Sequence, residues 1–377
     1  MAMDSDRSAP PPGAVRLPLC AGLLALAVAG WAEDAKSVTL KPQELPGRDV
    51  LTPIAVREGW VPSDDGKTMV RAAQVPAVSR GLVWARELNF KGSTSLTIGE
   101  ADIALTAAGP GSLSMAVGGG KPVLLKALLD GWQTVPVPIS KKAKLMLALP
   151  HGTMSSRSGA TISYHNAGVA VGKLDGDTVL LYDDTCDGVY GAGDAISINS
   201  GFVYAAMPEM VAGRKGVWQV GEIAEDGGKA AFTQVGDPAG KLLVKYAAPA
   251  GEGHVHLRGG KVAVFAAGPG KDPVMALPGD YALQYGVLLN QKRELISAII
   301  PGRSKPVTLA ADGNATVAYG APFRFEFTAQ KVKEKFVISP GSIRIYGAAD
   351  EQYIGFLFKP APTVLVNGKK VGSFGFG

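Results

Sequence analysis

The chain has 377 residues, of which 49 are glycine and 26 are proline, and only 19% are charged. A hydrophobic content of 46% is too high for a disordered chain, and so many glycines and prolines exclude a fold built from long helices. The formal charge of +5 comes from lysines and arginines scattered along the chain, so no nucleic-acid-binding patch is indicated.

The N-terminus has the features of an export signal. Arg7 and Arg16 precede an apolar run at 17–29, which is too short to anchor the chain across a bilayer. The Gly-Trp-Ala sequence at 30–32 has the small residues that signal peptidase requires, so residues 1–32 are predicted to be a cleaved signal peptide. An uncleaved anchor is the alternative. Export implies the periplasm or the extracellular space, and no later segment has the length and apolarity of a transmembrane span.

Two β-rich modules are predicted after an irregular segment at 33–90. Alternation of apolar and polar residues, the period of a strand, recurs through 91–248 and through 249–377. The boundary is placed where prolines and glycines interrupt the strands at 248–253. The predicted fold is therefore mainly β, with two antiparallel, sandwich-like modules and few short helices. The cleaved signal would remove Cys20 and leave Cys186 alone, so no internal disulfide is expected.

Individual elements follow from runs of alternation bounded by turn residues. Strands are predicted at 95–109, 159–172, 177–184, 195–205, 241–247 and 254–268. Turns are predicted at 175–176, 227–228, 259–260 and 312–313, each containing glycine. One short helix is predicted at 121–132, because this stretch contains good helix formers and a glycine near its end.

The acidic stretch DDTCDGVYGAGD places oxygen-bearing groups at alternate positions. Ca²⁺ is a hard cation that takes about six to eight oxygen ligands. Asp183, Thr185 and Asp187 stand at positions 1, 3 and 5 of the stretch, the backbone carbonyl of Val189 is at position 7, and Asp194 closes it at position 12. This register therefore supplies three carboxylates, a hydroxyl and a carbonyl to a candidate calcium site.

The spacing resembles the calcium loop of the EF-hand, and the resemblance covers these twelve residues only. Gly188 falls at position 6, where the loop turns sharply, and Gly191 at position 9 leaves room for water. The resemblance implies Ca²⁺ as the ligand. Asp194 replaces the usual bidentate glutamate, which should weaken binding, and the flanks are predicted strands instead of helices. We therefore expect a structural site and no sensor motion; an acidic hairpin turn without metal is the alternative.

The C-terminal third has the clearest strand pattern. The run Leu277–Leu289 is predicted to place Tyr281, Leu283 and Tyr285 on one face of a strand. This run resembles a strand of the immunoglobulin-like β-sandwich accessory domains of exported bacterial proteins, which implies an architecture and no activity. Residues 322–330 are predicted to alternate inward and outward, with Phe323, Phe325 and Phe327 inward and Arg324 and Glu326 outward. Residues 363–376 are predicted to form a hairpin with a type I′ turn at Asn367-Gly368.

Histidines and nucleophile motifs give little indication of catalysis. His254 and His256 share one face of a predicted strand and would form half of a transition-metal site, although a solvent-facing strand is the favoured interpretation. The serine-nucleophile motif Gly-x-Ser-x-Gly does not occur.

The expected function is therefore structural or interaction-related: an exported, non-enzymatic cell-envelope protein with a protein or polysaccharide partner and one structural calcium site. A hydrolase that uses carboxylates from separate strands is one alternative. A carbohydrate-binding module is another, suggested by Trp132 and Trp218 near turns.

Overall fold

Strands form all the regular structure that the computed structural model describes, and no helical element occurs among them. The prediction of a mainly β, sandwich-like fold is confirmed, whereas the few short helices are not found in the described part of the chain. The described residues are 35–44, 60–62, 69–71, 86–90, 93–98, 101–109, 112–126, 132–138, 144–150, 160–166, 168–185, 187–236, 239–247, 251–268, 272–292, 295–333, 335–338, 342–354, 363–366 and 369–373. Over these ranges there is no helix with the length and apolarity needed to cross a membrane.

The strand bounds fall into three stretches of chain. The first contains β1 (Lys36–Thr39), β2 (Lys41–Glu44), β3 (Trp60–Pro62), β4 (Met69–Arg71), β5 (Arg86–Phe90), β6 (Ser93–Ile98), β7 (Ala101–Gly109), β8 (Ser112–Val117), β9 (Val123–Lys126), β10 (Trp132–Pro138) and β11 (Lys144–Pro150). The second contains β12 (Ala160–Asn166), β13 (Gly168–Leu174), β14 (Asp177–Tyr182), β15 (Ala195–Ile198), β16 (Ala205–Ala206), β17 (Met210–Ala212), β18 (Val217–Ile223), β19 (Lys229–Gln234), β20 (Gly240–Ala247), β21 (Gly251–Gly259) and β22 (Val262–Ala267). The third contains β23 (Val274–Ala276), β24 (Gly279–Asn290), β25 (Leu295–Ile300), β26 (Val307–Leu309), β27 (Asn314–Gly320), β28 (Arg324–Glu326), β29 (Ala329–Val332), β30 (Lys335–Ile338), β31 (Arg344–Tyr346), β32 (Gln352–Ile354), β33 (Thr363–Val366) and β34 (Lys369–Ser373).

The largest sheet among the described residues, which we call the central sheet, has twelve strands, and its middle strands are buried on both faces. Its strand order is β1-β19-β18-β17-β22-β21-β24-β25-β32-β31-β28, with β26 paired to β24. Strand β22 shows the two faces, because Ala263 and Phe265 pack into one hydrophobic core and Val262 and Val264 pack into the other. We call these core 1 and core 2. A strand that is apolar at every position is the signature of such double burial.

Core 1 lies between the central sheet and a five-stranded sheet of order β16-β15-β14-β13-β2. The segment Lys36–Glu44 belongs to both sheets, since β1 pairs with β19 and β2 pairs with β13. Val38 and Leu40 of this segment are buried in core 1. The start of the region predicted to be irregular therefore closes one edge of the core.

Core 2 lies between the opposite face of the central sheet and the three-stranded sheet β23-β20-β27. A buried polar chain holds this layer, because the Tyr246 and Tyr353 hydroxyls lie 2.7 Å apart and Tyr353 donates to Glu351 Oε1 at 2.8 Å. Glu351 Oε1 also accepts the backbone N–H of Gly320 at 2.6 Å. Burial raises the pKa of the Glu351 carboxyl, and these donors oppose that effect.

A bulge in β24 corrects the predicted face of its aromatic residues. Leu283 pairs with Leu257 while Tyr285 pairs with the adjacent His256, so one residue of β24 is extra at this point. Tyr281 and Leu283 pack into core 2, whereas Tyr285 packs into core 1. The prediction that all three share one face was wrong, since one inserted residue reverses the facing of everything beyond it.

Strand pairing corrects one further prediction, and the exposure of two side chains corrects another. Val123–Lys126, within the predicted helix at 121–132, is an edge strand paired with β8, because a short apolar run fits a strand as well as a helix. Phe323 is partly buried against core 2, but Phe325 and Phe327 are 50% and 52% exposed. Their strand extends past the end of the core, so alternation alone did not bury them.

The turn predicted at residues 175–176 is confirmed, and both of its flanking strands were predicted as well. Asp175 and Gly176, between β13 and β14, have φ angles of 49° and 93°, as a type I′ turn requires. The hairpin of β33 and β34 is present, while its predicted turn residues Asn367-Gly368 lie outside the described residues.

The predicted boundary between residues 248 and 249 falls between β20 and β21. The central sheet contains β17, β18 and β19 from before this point and β21, β22 and β24 from after it. Strands from both predicted modules therefore share one sheet and contribute to both cores.

Candidate metal centre

The acidic loop connects two paired strands of the five-stranded sheet. Tyr182 at the end of β14 pairs with Ala195 at the start of β15, so Asp183 and Asp194 are the first and last loop residues beyond this pair. Carboxylates that face each other across the end of an antiparallel pair repel. The strand flanks predicted for this loop are therefore present, and they bring its first and last acids together.

Two hydrogen bonds orient the Asp183 carboxylate toward the interior of the loop. Its Oδ2 accepts the backbone N–H of Gly188 at 3.1 Å, and its Oδ1 accepts the Thr185 hydroxyl at 3.1 Å. Gly188 has a φ of 82°, a left-handed conformation that a residue with a Cβ rarely adopts. The glycine at position 6 therefore allows the sharp turn that the sequence pattern implied.

Asp194 closes the loop onto the same hydroxyl. Its Oδ1 lies 3.1 Å from Thr185 Oγ1 and accepts the Thr185 N–H, also at 3.1 Å. Its Oδ2 accepts the N–H of Gly191 at 2.8 Å. Asp183 and Asp194 thus converge on Thr185, and the three predicted residues form one cluster of oxygen atoms.

The electrostatics of this cluster disfavour two ionised carboxylates. Asp183 and Asp194 are 0% and 2% exposed. Burial, reinforced by the negative charges of Asp194 and Asp187, raises the pKa of Asp183 to about 7. Burial also raises the pKa of Asp194. A cation between them would remove both penalties, because it favours the charged form of each carboxylate.

The remaining predicted ligands belong to two residues that are exposed to solvent. Asp187 is exposed and its Oδ1 accepts the Val189 N–H at 2.8 Å, while Val189 is 44% exposed. Across the described parts of the chain, no three His, Cys, Asp or Glu side chains already form a group that would hold a metal. The donors suit calcium in kind, since all are oxygens, but Asp187 must rotate from its N–H partner to complete the set.

Contacts outside the loop fix its position on the central sheet. The N–H of Tyr190 donates to the carbonyl of Glu225, in the turn between β18 and β19, at 2.9 Å. Met207 N–H donates to the carbonyl of Asp194 at 2.8 Å. Gly191 and Ala192 border a shallow depression of about 310 Å³ that no aromatic side chain lines, so it lacks the stacking platform of a typical sugar site.

A second polar cluster joins a serine, a histidine and a glutamate. Ser200 Oγ lies 3.0 Å from His254 Nδ1, and His254 Nε2 lies 3.2 Å from Glu252 Oε1. The latter contact is close enough for an ion pair but is not aligned as a hydrogen bond. Sequence spacing gave no signal for this cluster, because Ser200 and His254 are 54 positions apart and meet only when the sheets stack.

The two strand histidines share one face, as predicted, but that face is buried. His254 is 2% and His256 is 5% exposed, and their rings contact Phe202 and Phe265 at centroid distances of 4.7 and 5.1 Å. The solvent-facing interpretation was therefore wrong. Burial, with the nearby charge of Arg258, lowers the pKa of His256 to about 3, so this ring is neutral at pH 7.

Trp218 does not present an exposed aromatic surface. It is 1% exposed in core 1, and Lys36 Nζ lies 4.8 Å from the centre of its ring. The side chain of Trp132, the other tryptophan that suggested carbohydrate binding, lies outside the described part of the structure.

Comparisons of this chain with protein-family models, with curated proteins and with solved structures found no match.

Proposed function

We propose that this chain is an exported structural or interaction protein of the cell envelope, with one calcium ion clamping the end of the β14–β15 hairpin. The N-terminal sequence supports export. The ligands are Asp183, Thr185, Asp187, the carbonyl of Val189, and Asp194. An immunoglobulin-like relationship of the C-terminal part remains a prediction.

One observation carries the calcium proposal: two buried carboxylates converge on one hydroxyl at the end of a strand pair. Their burial also bears on the alternative in which acidic residues catalyse hydrolysis. A general acid or base must come within hydrogen-bond reach of its substrate. Asp183 has no exposed surface, so an ion inside the loop fits the geometry better than a substrate outside it.

Calcium titration by calorimetry tests the proposal. We expect a single site with a Kd of about 0.1–1 mM, the range of extracellular calcium modules. The variant Asp183→Asn should weaken binding by about tenfold or more, because it removes a charge from the first ligand position. Asp102→Ala is the matched control, since Asp102 also accepts a threonine hydroxyl, that of Thr97 at 2.8 Å, but lies on β7, outside both the loop and the β18–β19 turn that contacts it. The assignment would be contradicted if no heat of binding were measured at a calcium concentration 10 times the upper Kd. It would also be contradicted if the control variant lost as much calcium affinity as Asp183→Asn.

A second candidate function, hydrolysis through a serine nucleophile, is favoured by the Ser200–His254–Glu252 cluster. With Nε2 protonated toward Glu252, Nδ1 of His254 is free of a proton and accepts one from Ser200. This arrangement uses the two ring nitrogens in the opposite order to the serine protease triad. Ser200 is partly exposed, and its hydroxyl also accepts the N–H of Phe202 at 3.3 Å.

Covalent labelling with a fluorophosphonate probe distinguishes this candidate from a structural polar cluster. A catalytic Ser200 would form a serine–phosphorus bond, release fluoride, and pass its proton to His254. Labelling should vanish in Ser200→Ala and fall by about a hundredfold or more in His254→Gln. Ser304, which is also partly exposed, provides the control Ser304→Ala. If Ser200 is not labelled in the folded protein, the cluster has a structural role only.

A further inference from the structure

Exposed apolar side chains are concentrated in one short stretch of the chain. Within the described residues, seven large apolar side chains are exposed, and four of them lie between Phe325 and Val337. These four are Phe325, Phe327, Val332 and Val337, each 50–52% exposed. We call residues 325–337 the basic hairpin. Exposed apolar groups clustered in this way mark an interaction surface more often than isolated ones do.

The topology explains why this stretch is exposed. Strand β28 is the last strand of the central sheet and pairs on one side with β31. Phe323, just before it, still packs edge-on against Tyr353 at 5.0 Å, but the following phenylalanines pass beyond core 2. Among the described strands, β29 and β30 pair only with each other, and all four residues of β29 are exposed. The hairpin therefore projects from the sheet instead of packing against it.

Positive charge accompanies the apolar side chains. The sequence KVKEK at 331–335 contains three lysines and one glutamate, and Lys331 and Lys333 are exposed. The neighbouring arginines are engaged within the protein, since Arg303 pairs with Glu326 and Arg324 pairs with Asp350. Lys331 and Lys333 flank Val332 and leave the opposite face of the hairpin, so their long side chains reach the anionic groups of a partner around its edge.

These properties together favour one kind of partner. A second copy of this chain would bring lysine against lysine, which opposes self-association through the hairpin. An acidic polysaccharide would match the charge but would not bury four half-exposed apolar side chains. An anionic lipid surface does both, because its headgroups attract lysine while its interfacial region accepts Phe and Val side chains.

We propose that the basic hairpin binds the surface of anionic lipid membranes, with Phe325, Phe327, Val332 and Val337 entering the interface and Lys331 and Lys333 contacting phosphate groups. This inference rests on the envelope location proposed above and names the partner there. The basic hairpin does not include the calcium loop, so an experiment can contradict one proposal without contradicting the other.

Vesicle co-sedimentation tests the inference, using the full chain and vesicles of phosphatidylcholine with or without 30% phosphatidylglycerol. We expect binding that requires the anionic lipid and weakens with added salt. The pair Val332→Ser/Val337→Ser should weaken binding by about tenfold, and Lys331→Glu/Lys333→Glu by at least as much. Because the apolar residues near the N-terminus are the same in every variant, the comparison between variants isolates the hairpin.

Matched controls remove the same chemistry elsewhere. Val123→Ser/Leu124→Ser deletes two exposed apolar side chains on β9, and Lys241→Glu/Lys245→Glu reverses two exposed charges on β20; both should bind like the parent chain. Circular dichroism establishes that each variant is folded. The proposal would be overturned if the chain bound neutral vesicles as well as anionic ones, or if the control variants lost as much binding as the hairpin variants. It would also be overturned if the chain formed a concentration-dependent dimer that the hairpin variants abolished. Repeating the assay with chelator separates it from the calcium site, because hairpin binding should persist after calcium is removed.

Discussion

Replacing Asp183 with asparagine is expected to stabilise the calcium-free chain at pH 8 and, at the same time, to reduce its stabilisation by calcium. The parent chain must hold an ionised, buried Asp183 next to Asp194 at that pH, whereas asparagine keeps the oxygen that accepts Gly188 N–H without the charge. We expect a gain on the order of 2 kcal/mol in the free energy of unfolding without calcium. Calcium at about 100 times its Kd should stabilise the parent by about 2.7 kcal/mol and the variant, whose binding is weaker by tenfold or more, by about 1.4 kcal/mol or less.

The pH dependence follows from the direction of the pKa shift. The Asp183 pKa is 3.8 in the reference state and about 7 in the folded chain, so the folded state retains a proton that the unfolded state has lost. Without calcium, stability should therefore fall as pH rises from about 4 to about 7 and then level off. Calcium should reduce this loss, because it binds the ionised form. Its stabilising effect is thus larger at pH 8 than at pH 5.

Urea unfolding at pH 5 and pH 8, with calcium or chelator, measures these effects. Asp102→Ala again provides the control, since it removes an acid that accepts a threonine hydroxyl on another hairpin and should change neither the calcium effect nor its pH dependence. The calcium site would be contradicted if Asp183→Asn destabilised the chelated protein at pH 8, or if calcium stabilised parent and variant alike.

The second large effect is expected at His256, where replacement by leucine should protect the fold from acid. Both ring nitrogens are buried and have no hydrogen-bond partner among the described residues, and the ring stacks on Phe265. The His256 pKa is about 3 in the folded chain against 6.5 in the reference state. The unfolded chain therefore takes up a proton first, and the parent should lose stability as pH falls from about 6.5 toward 3.

His256→Leu removes this loss and a polar group buried without a partner. We expect it to be about 1–3 kcal/mol more stable than the parent at pH 4.5 and nearly equal to it at pH 7.5, where the lost ring contact with Phe265 and the changed side-chain shape offset the gain. Thermal or urea unfolding across this pH range provides the measurement.

His254 on the same strand is the internal control. Its Nδ1 lies 3.0 Å from Ser200 Oγ, so His254→Leu should destabilise the chain by about 1–3 kcal/mol at pH 7.5, because a polar partner is lost. If both histidine variants behaved alike, the contrast in hydrogen bonding would not account for their stability.

The predictability of the fold differs between local and non-local features. The Asp175-Gly176 turn was recognisable because its two left-handed residues are next to each other in the chain. The bulge that separates Leu283 from Tyr285 was not, because it arises from pairing between β21 and β24. Phe325 and Phe327 fit a core-facing alternation equally well, and only the end of core 2 decides that they are exposed.

The candidate site divides in the same way. The oxygen-bearing positions from Asp183 to Asp194 and the glycine at position 6 were apparent from spacing, since one loop supplies all of them. The Ser200–His254–Glu252 cluster was not, because its serine lies in the loop after β15 and its histidine lies 54 positions later in β21.

The sequence by itself determined the strand-rich composition, the short-range turns and the register of the acidic loop, because each depends on residues that are close along the chain. The tertiary structure decided what is buried. It placed His254, His256 and Trp218 inside a core and left the basic hairpin outside both cores. It also brought Asp183 opposite Asp194, where burial raises their pKa values. Burial depends on which sheets stack on each face of the central sheet, and that stacking joins residues from distant parts of the chain.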